Sequence, residues 1–279
     1  MAKTKMGVVG CGGRMGRMLV AEIAATEGCT IAGGSEAPGS GYVNQDIGEL
    51  AGIGRIGIPI GEAVDKLIRD SDVVLEFTSP AATAEHAALA AGLGKAMVIG
   101  TTGLSPEQGD VVRQAARDIP IVWAPNMSLG VNVLLSVVEK AARRLGPDWD
   151  IEIMEMHHRG KVDAPSGTAI ASAKRMAEAR LEQGAGPWPA DRTEKQTLEG
   201  SRGAVGPGGL HVHSVRIPGL VAHQEVILGA VGQSLTIRHD AYDRTSFMPG
   251  VLLALRSVPN LEGLTVGLDS VLGLQGRPS

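Results

Sequence analysis

Within "EMHHRGKVDAPSGTA", Glu155–Ala169, four basic side chains, His157, His158, Arg159 and Lys161, fall within five positions. An imidazole gives or takes a proton near neutral pH, and an ammonium beside it holds negative charge. The Pro-Ser-Gly-Thr run that follows opens a helical pattern. Ser166, Gly167 and Thr168 therefore present backbone N–H groups and hydroxyls at a helix start, a cradle for an anion. A lone Ser-Gly-Thr is more simply a helix cap. The titratable groups crowded beside it argue instead for a carboxylate ligand and a proton donor, His157 or Lys161. A metal site is not expected, because neighbouring histidines on a strand diverge and no third ligand is in view.

These residues need a platform. "DIEIMEMHH" (Asp150–His158) alternates as a strand does, placing Ile151, Ile153, Glu155 and His157 on one face and Glu152, Met154, Met156 and His158 on the other. A helix over 169–183 follows, capped by Ser166, and an amphipathic helix over 128–146 precedes it. After a Pro/Gly-rich loop, strands are expected at Gly208–Ile217, Leu220–Leu228 and Ser234–His239, the first two joined by the turn "IPGL". Arg238, near the end of the last strand, is a candidate contact for a ligand anion. His211, His213, His223 and His239 read as structural or interfacial. The strands make an open mixed sheet of about four, whose uncovered face calls for a partner copy.

The first half reads differently. Lys5–Gly10 is a buried strand, and "GCGGRMG" (Gly10, Cys11, Gly12, Gly13, Arg14, Met15, Gly16) turns it into a helix with Met15, Leu19 and Ile23 on one side. In such a loop glycines let a pyrophosphate approach the backbone and the helix start supplies donors. The motif alone is weak. A second strand, Thr30–Ser35, ends at Glu36, twenty residues past Gly16, where an acid can bind a ribose 2′-hydroxyl. Ala37 follows rather than arginine, which favours NADH over NADPH, although Arg14 could compensate. Strand and helix patterns then alternate to residue 126, the signature of a doubly wound parallel sheet. Its strand ends read Gly10, Glu36, Phe77-Thr78, Gly100-Thr101-Thr102-Gly103 and Ala124-Pro125-Asn126. Ligands of such sheets sit beyond these ends.

The expected architecture is therefore α/β: a Rossmann-like dinucleotide-binding domain over 1–128 and 239–279, and an α+β substrate-binding and oligomerisation domain over 129–238. The last segment, a helix over 247–258 and a short strand in "LTVGLDSVLG", returns to the first domain. Closure would hinge near 126–128 and 238–240. Interspersed charges summing to −4 give no basic face for nucleic acid or membrane, so small-molecule chemistry is expected. Cys11 and Cys29 lack metal or redox spacing and point to a reducing compartment, and no targeting segment is read, so a cytoplasmic location is expected.

"GCGGRMGR", "EFTSP", "VIGTTG", "APNMSLGVN" and above all "EMHHRGKVDAPSGTA" resemble the 4-hydroxy-tetrahydrodipicolinate reductase (dihydrodipicolinate reductase) family over essentially the whole chain. The resemblance implies a homotetramer that reduces a cyclic imine dicarboxylate with NADH or NADPH in lysine and diaminopimelate synthesis. It assigns the cofactor loop to Gly10–Gly16, the ribose acid to Glu36, and nicotinamide-side backbone to Gly100–Gly103 and Ala124–Met127. It makes His157 the proton donor, His158 a substrate contact, Lys161 catalytic and Ser166, Gly167 and Thr168 the carboxylate cradle, with Arg238 a weaker match. Ala37 and Ser79 stand where members that accept a 2′-phosphate often carry arginine. The rival readings are another Rossmann amino-acid dehydrogenase and a non-catalytic NAD(H)-sensing regulator. A phosphorylating semialdehyde dehydrogenase would need a mid-chain cysteine, which the sequence lacks.

Overall fold

A computed structural model describes residues 3–146 and 148–274. In chain order the elements are β1 (Thr4–Val9), α1 (Arg14–Ala25), β2 (Cys29–Ser35), α2 (Ile47–Leu50), α3 (Val64–Asp70), β3 (Val73–Glu76), α4 (Pro80–Gly92), β4 (Ala96–Ile99) and α5 (Pro106–Ala115). There follow β5 (Ile121–Trp123), α6 (Leu129–Arg144), β6 (Asp150–His158), α7 (Gly167–Glu182), β7 (Ala204–Val205), β8 (His211–Ile217), β9 (Ala222–Ala230), β10 (Gln233–Ala241), α8 (Met248–Ser257) and β11 (Leu264–Val266). Two compact units result, one running to Leu129 and resuming at Phe247, the other spanning Gly130–Ser246. No helix among the described residues is long and apolar enough to cross a membrane.

The first unit holds a parallel sheet in the order β11-β5-β4-β3-β1-β2. Its strands are apolar on both faces, as burial under two helical layers requires. Met6, Val8, Val73, Leu75, Val98 and Val122 pack with α1 and α8, while Val74, Met97, Ile99 and Ile121 pack with α3, α4 and α5. The order reverses between β1 and β3, the switch point at which ligand clefts open. Gly250 in α8 lies so close to the Met127 carbonyl that an added Cβ would stand 1.8 Å from it. Only glycine allows that approach, which fixes the backbone at the end of the β5 loop. The 37–62 segment, which the sequence patterns leave unassigned, is pinned by Asp46, whose carboxylate accepts N–H bonds from Gly48, Glu49, Ile56, Gly57 and Ile58.

The second unit is a mixed sheet in the order β10-β9-β6-β8-β7, with α6 and α7 packed on one face through Leu134, Val138, Ala173 and Met176 against Ile151, Ile153, Val212, Val226 and Leu228. The sheet of about four strands expected from the sequence has five, the fifth being the two-residue β7 in a glycine-rich stretch without alternation. The expected return at residue 239 moves to Phe247, since β10 stays in register with β9 through Ala241. Arg238–Asp240, expected from the sequence to be a hinge, is thus interior to a strand.

Candidate active site

Glu155 organises the second unit's chemistry. Strand alternation turns it, with His157, toward the helix-covered face, and its side chain is fully buried. One oxygen accepts a bond from His157 Nδ1 at 2.6 Å and from Arg216 Nη1 at 2.9 Å; the other accepts from Arg216 Nη2 at 2.7 Å and from the Ser166 N–H at 3.2 Å. Burial pushes the carboxyl's pKa up, but bonds from His157, Arg216 and Ser214 and the arginine's charge outweigh it and hold the group at about 2. An ionised carboxylate only accepts, so the bond to it is donated by Nδ1–H.

The sign of this shift sets a pH dependence. A folded value of about 2 against an ordinary 4.5 makes ionised Glu155 stabilising above about pH 4.5, and the contribution fades as pH falls toward 2. In urea unfolding, the stability difference between wild type and Glu155→Gln should therefore shrink by on the order of 3 kcal/mol between about pH 6 and pH 2. A difference independent of pH would contradict it.

Arg216 carries the organisation further. It stands opposite His157 in the parallel β6–β8 register, and its Nη2 also donates to the Asp163 carbonyl at 2.8 Å. The chain leaves β6 by a turn in which the Lys161 N–H donates to the His158 carbonyl. The Lys161 ammonium then donates to both Asp163 oxygens, at 2.7 and 2.9 Å, and this bond holds the Asp163 carboxyl below its usual range. Ser166 caps α7, its Oγ accepting from the Ala169 N–H at 3.2 Å. Gly167 and Thr168 are the first residues of that helix, and, chain neighbours and the helix's own backbone apart, no atom of the described residues lies within 4 Å of where a Cβ of Gly167 would stand.

Of the residues expected to bind substrate, the structure gathers His157, Lys161, Ser166, Gly167 and Thr168 around the Glu155–Arg216 pair. His158 is exposed and, by alternation, on the opposite face. Arg238 is not part of the cluster. The β10–β9–β6 register places it on the face of Met154, where it pairs with Glu225 and Asp240. Glu155, Arg216 and Asp163 are absent from the site that the sequence suggests. Alternation puts Glu155 beside His157, whereas Arg216 joins only through a pairing sixty-one residues away in sequence.

In the first unit a cleft of about 610 Å³ opens at the ends of β1, β2 and β3, lined by Gly10, Gly13, Glu36, Ala37, Phe77 and Thr78 among others. Gly10 has φ +68°, and a Cβ on Gly16 would stand 2.2 Å from the Gly10 carbonyl, so the loop can lie flat against α1 only with glycine at both positions. Gly13 precedes α1 without any side-chain cap, so no N-cap hydroxyl or carboxylate occupies the first-turn N–H groups. These are the features a pyrophosphate requires, and the residues fit a dinucleotide. The Gly12 N–H donates to Glu36 at 2.6 Å. Cys11 is buried beneath the loop, its thiol pushed up to about 12 by burial and by Glu36. Arg14 is exposed.

Thr78 donates its N–H to Thr101 Oγ1, and Phe77 packs on Gly100, tying β3 to the β4 end. Thr102 and Gly103 are exposed there; Ala124 and Met127 are buried, Pro125 is exposed, and Asn126 accepts a bond from the Ser128 N–H at 2.9 Å. Gly100–Gly103 and Ala124–Met127 thus lie along the same sheet edge but outside the cleft lining. Three of the cleft's features carry no signal in the sequence. Tyr42 packs under Arg17 at 5.0 Å; Glu62 and Glu85 add acidic walls; and buried Glu76 holds His86 at 2.6 Å.

Residues 4–127 match the family model "Dihydrodipicolinate reductase, N-terminus" and residues 130–272 the model "Dihydrodipicolinate reductase, C-terminus". A 4-hydroxy-tetrahydrodipicolinate reductase of Synechococcus elongatus is 41% identical over 95% of this chain and 97% of its own. One from Moorella thermoacetica is 42% identical over 98% and 99%. Among solved structures, the dipicolinate-bound dihydrodipicolinate reductase of Paenisporosarcina sp. TG-14 superposes with a TM-score of 0.81 at 33% identity, covering 96% of this chain and 99% of that one. With both halves matched in order and the Glu155–His157 cluster and glycine loop in place, the chain belongs to the dihydrodipicolinate reductase family.

Proposed function

We propose that this chain reduces 4-hydroxy-tetrahydrodipicolinate (dihydrodipicolinate) to tetrahydrodipicolinate, a step of lysine and diaminopimelate synthesis. The observation that carries the reading is the convergence of His157, the Lys161 loop and the α7 start on one buried carboxylate. When bound, a reduced nicotinamide supplies the hydride. Gly10–Gly16 and the start of α1 hold its pyrophosphate, Glu36 its ribose, and the backbone of Gly100–Gly103 and Ala124–Met127 its nicotinamide side. Loss of the 4-hydroxyl as water leaves a conjugated imine; hydride addition to it gives an electron-rich carbon that must gain a proton, and His157 Nε2 is the donor in this reading. Lys161 exchanges Asp163 for one ring carboxylate, and the N–H groups of Gly167 and Thr168 take the other. His158, exposed at the end of the same strand and on its other face, takes no part in this grip.

NADH is the favoured cofactor and NADPH the poorer one. Glu36, Glu62 and Glu85 line the cleft with Ala37 beside them, so a 2′-phosphate would meet carboxylates and no adjacent arginine. Ala37→Arg should raise kcat/KM for NADPH by about 10-fold or more, the worth of one new charge-assisted contact, with little change for NADH. Assays with both cofactors at equal concentration check this; equal gains for both would contradict it. The enzyme works in the cytoplasm as a homotetramer assembled through the open face of the second sheet.

The test is loss of NADH absorbance with substrate made in situ from pyruvate and aspartate semialdehyde, and its inhibition by pyridine-2,6-dicarboxylate. Cofactor binding without oxidation would favour a nucleotide-sensing regulator instead.

A further inference from the structure

Glu155 and Arg216 are more than a structural ion pair. Burying two charges costs desolvation, and an apolar pair of similar volume generally holds a sheet as well or better. What an apolar pair cannot do is accept the Nδ1–H of His157 and the N–H of Ser166 at once, as the Glu155 carboxylate does. Arg216 pins that carboxylate with two bonds and reaches the Asp163 carbonyl, so strand, Lys161 loop and helix start share one anchor.

We propose that Glu155, clamped by Arg216, is the positioning residue of this active site: it fixes the tautomer of His157 so that Nε2 is the proton-donating nitrogen. The inference rests on the reductase reading for its catalytic consequence, but not for the tautomer itself. The charged groups of the cluster are Glu155 on the strand of His157, Arg216 on β8, and Lys161 and Asp163 in the loop that follows. Of these, only Glu155 bonds the imidazole.

Glu155→Gln separates this role from a merely structural one. A glutamine keeps an acceptor for Ser166 and Arg216 but turns its amide donors toward Nδ1, which then has to accept. Turnover, kcat, should fall on the order of 10²-fold with KM little changed, and the alkaline limb of the kcat–pH profile should move down by about one unit. Glu155→Asp, which keeps the charge, should recover part of kcat and restore the limb. Long-range ¹H–¹⁵N NMR on the full-length protein, with His157→Gln for assignment, should show neutral His157 protonated at Nδ1 in wild type and shifted toward Nε2 in Glu155→Gln. A folded Glu155→Gln enzyme with wild-type kcat and pH profile would overturn the proposal, as would a wild-type ring protonated at Nε2. If the glutamine variant does not fold, the wild-type tautomer and the aspartate variant's pH limb still decide it. If the wild type fails to oxidise NADH, the reductase reading falls, while the NMR result still decides the tautomer.

Discussion

His157→Gln lowers kcat by roughly 10²- to 10⁴-fold, the usual worth of a positioned general acid, while KM stays within about threefold. Glutamine approximates the imidazole's reach and its amide can still donate to Glu155, so the buried carboxylate keeps a partner in place of Nδ1. What disappears is the imidazole proposed to give the proton. Solvent has to supply that proton at a side chain that is only 15% exposed in wild type. The loss therefore falls on turnover, because the proposed carboxylate grips on Lys161 and on the start of α7 are untouched. The measurement is steady-state kinetics across pH, in which the limb due to the acid should vanish. A variant with wild-type turnover would transfer the proton-donor role to another group.

Lys161→Ala has a different signature, striking turnover and substrate affinity together. Removing one partner of a charge-assisted contact costs about 2–5 kcal/mol, which is roughly 30- to 4000-fold in kcat/KM. The alanine variant also leaves Asp163 without its ammonium, so a carboxylate now faces an incoming diacid. That repulsion places part of the loss in KM. Arginine should not restore full activity, because a planar fork cannot reproduce the point charge of an ammonium. Titration with pyridine-2,6-dicarboxylate separates the affinity part from the chemical part. Unchanged inhibitor binding in Lys161→Ala would remove Lys161 from the substrate grip.

The contrast between these variants reflects how much of the site is legible in one dimension. The bounds of β6 follow from strict alternation, and the same alternation sets Glu155 on His157's face. The Ser166 cap and the glycine loop are local backbone chemistry, legible because each needs only a few adjacent residues. Arg216 is different in kind. Its role exists only once β6 and β8 pair in parallel register, and nothing near "HSVRIPG" marks that arginine as special. Arg238 shows the converse, since its position near a strand end suggests a ligand, but parity through β9 turns it to the face of Met154. The 37–70 stretch carries no usable period because Asp46, rather than apolar spacing, shapes its first part. Its short helix α3 supplies the crossover between β2 and β3.

In the proposed reaction a helix start and a nearby ammonium together hold a ring bearing two carboxylates, with His157 Nε2 turned toward it. The most direct measurement is a crystal structure of this protein with pyridine-2,6-dicarboxylate. One carboxylate should lie on the Lys161 ammonium, with Asp163 displaced, and the other on the N–H groups of Gly167 and Thr168. A ring bound elsewhere, or bound with Lys161 still paired to Asp163, would contradict that grip.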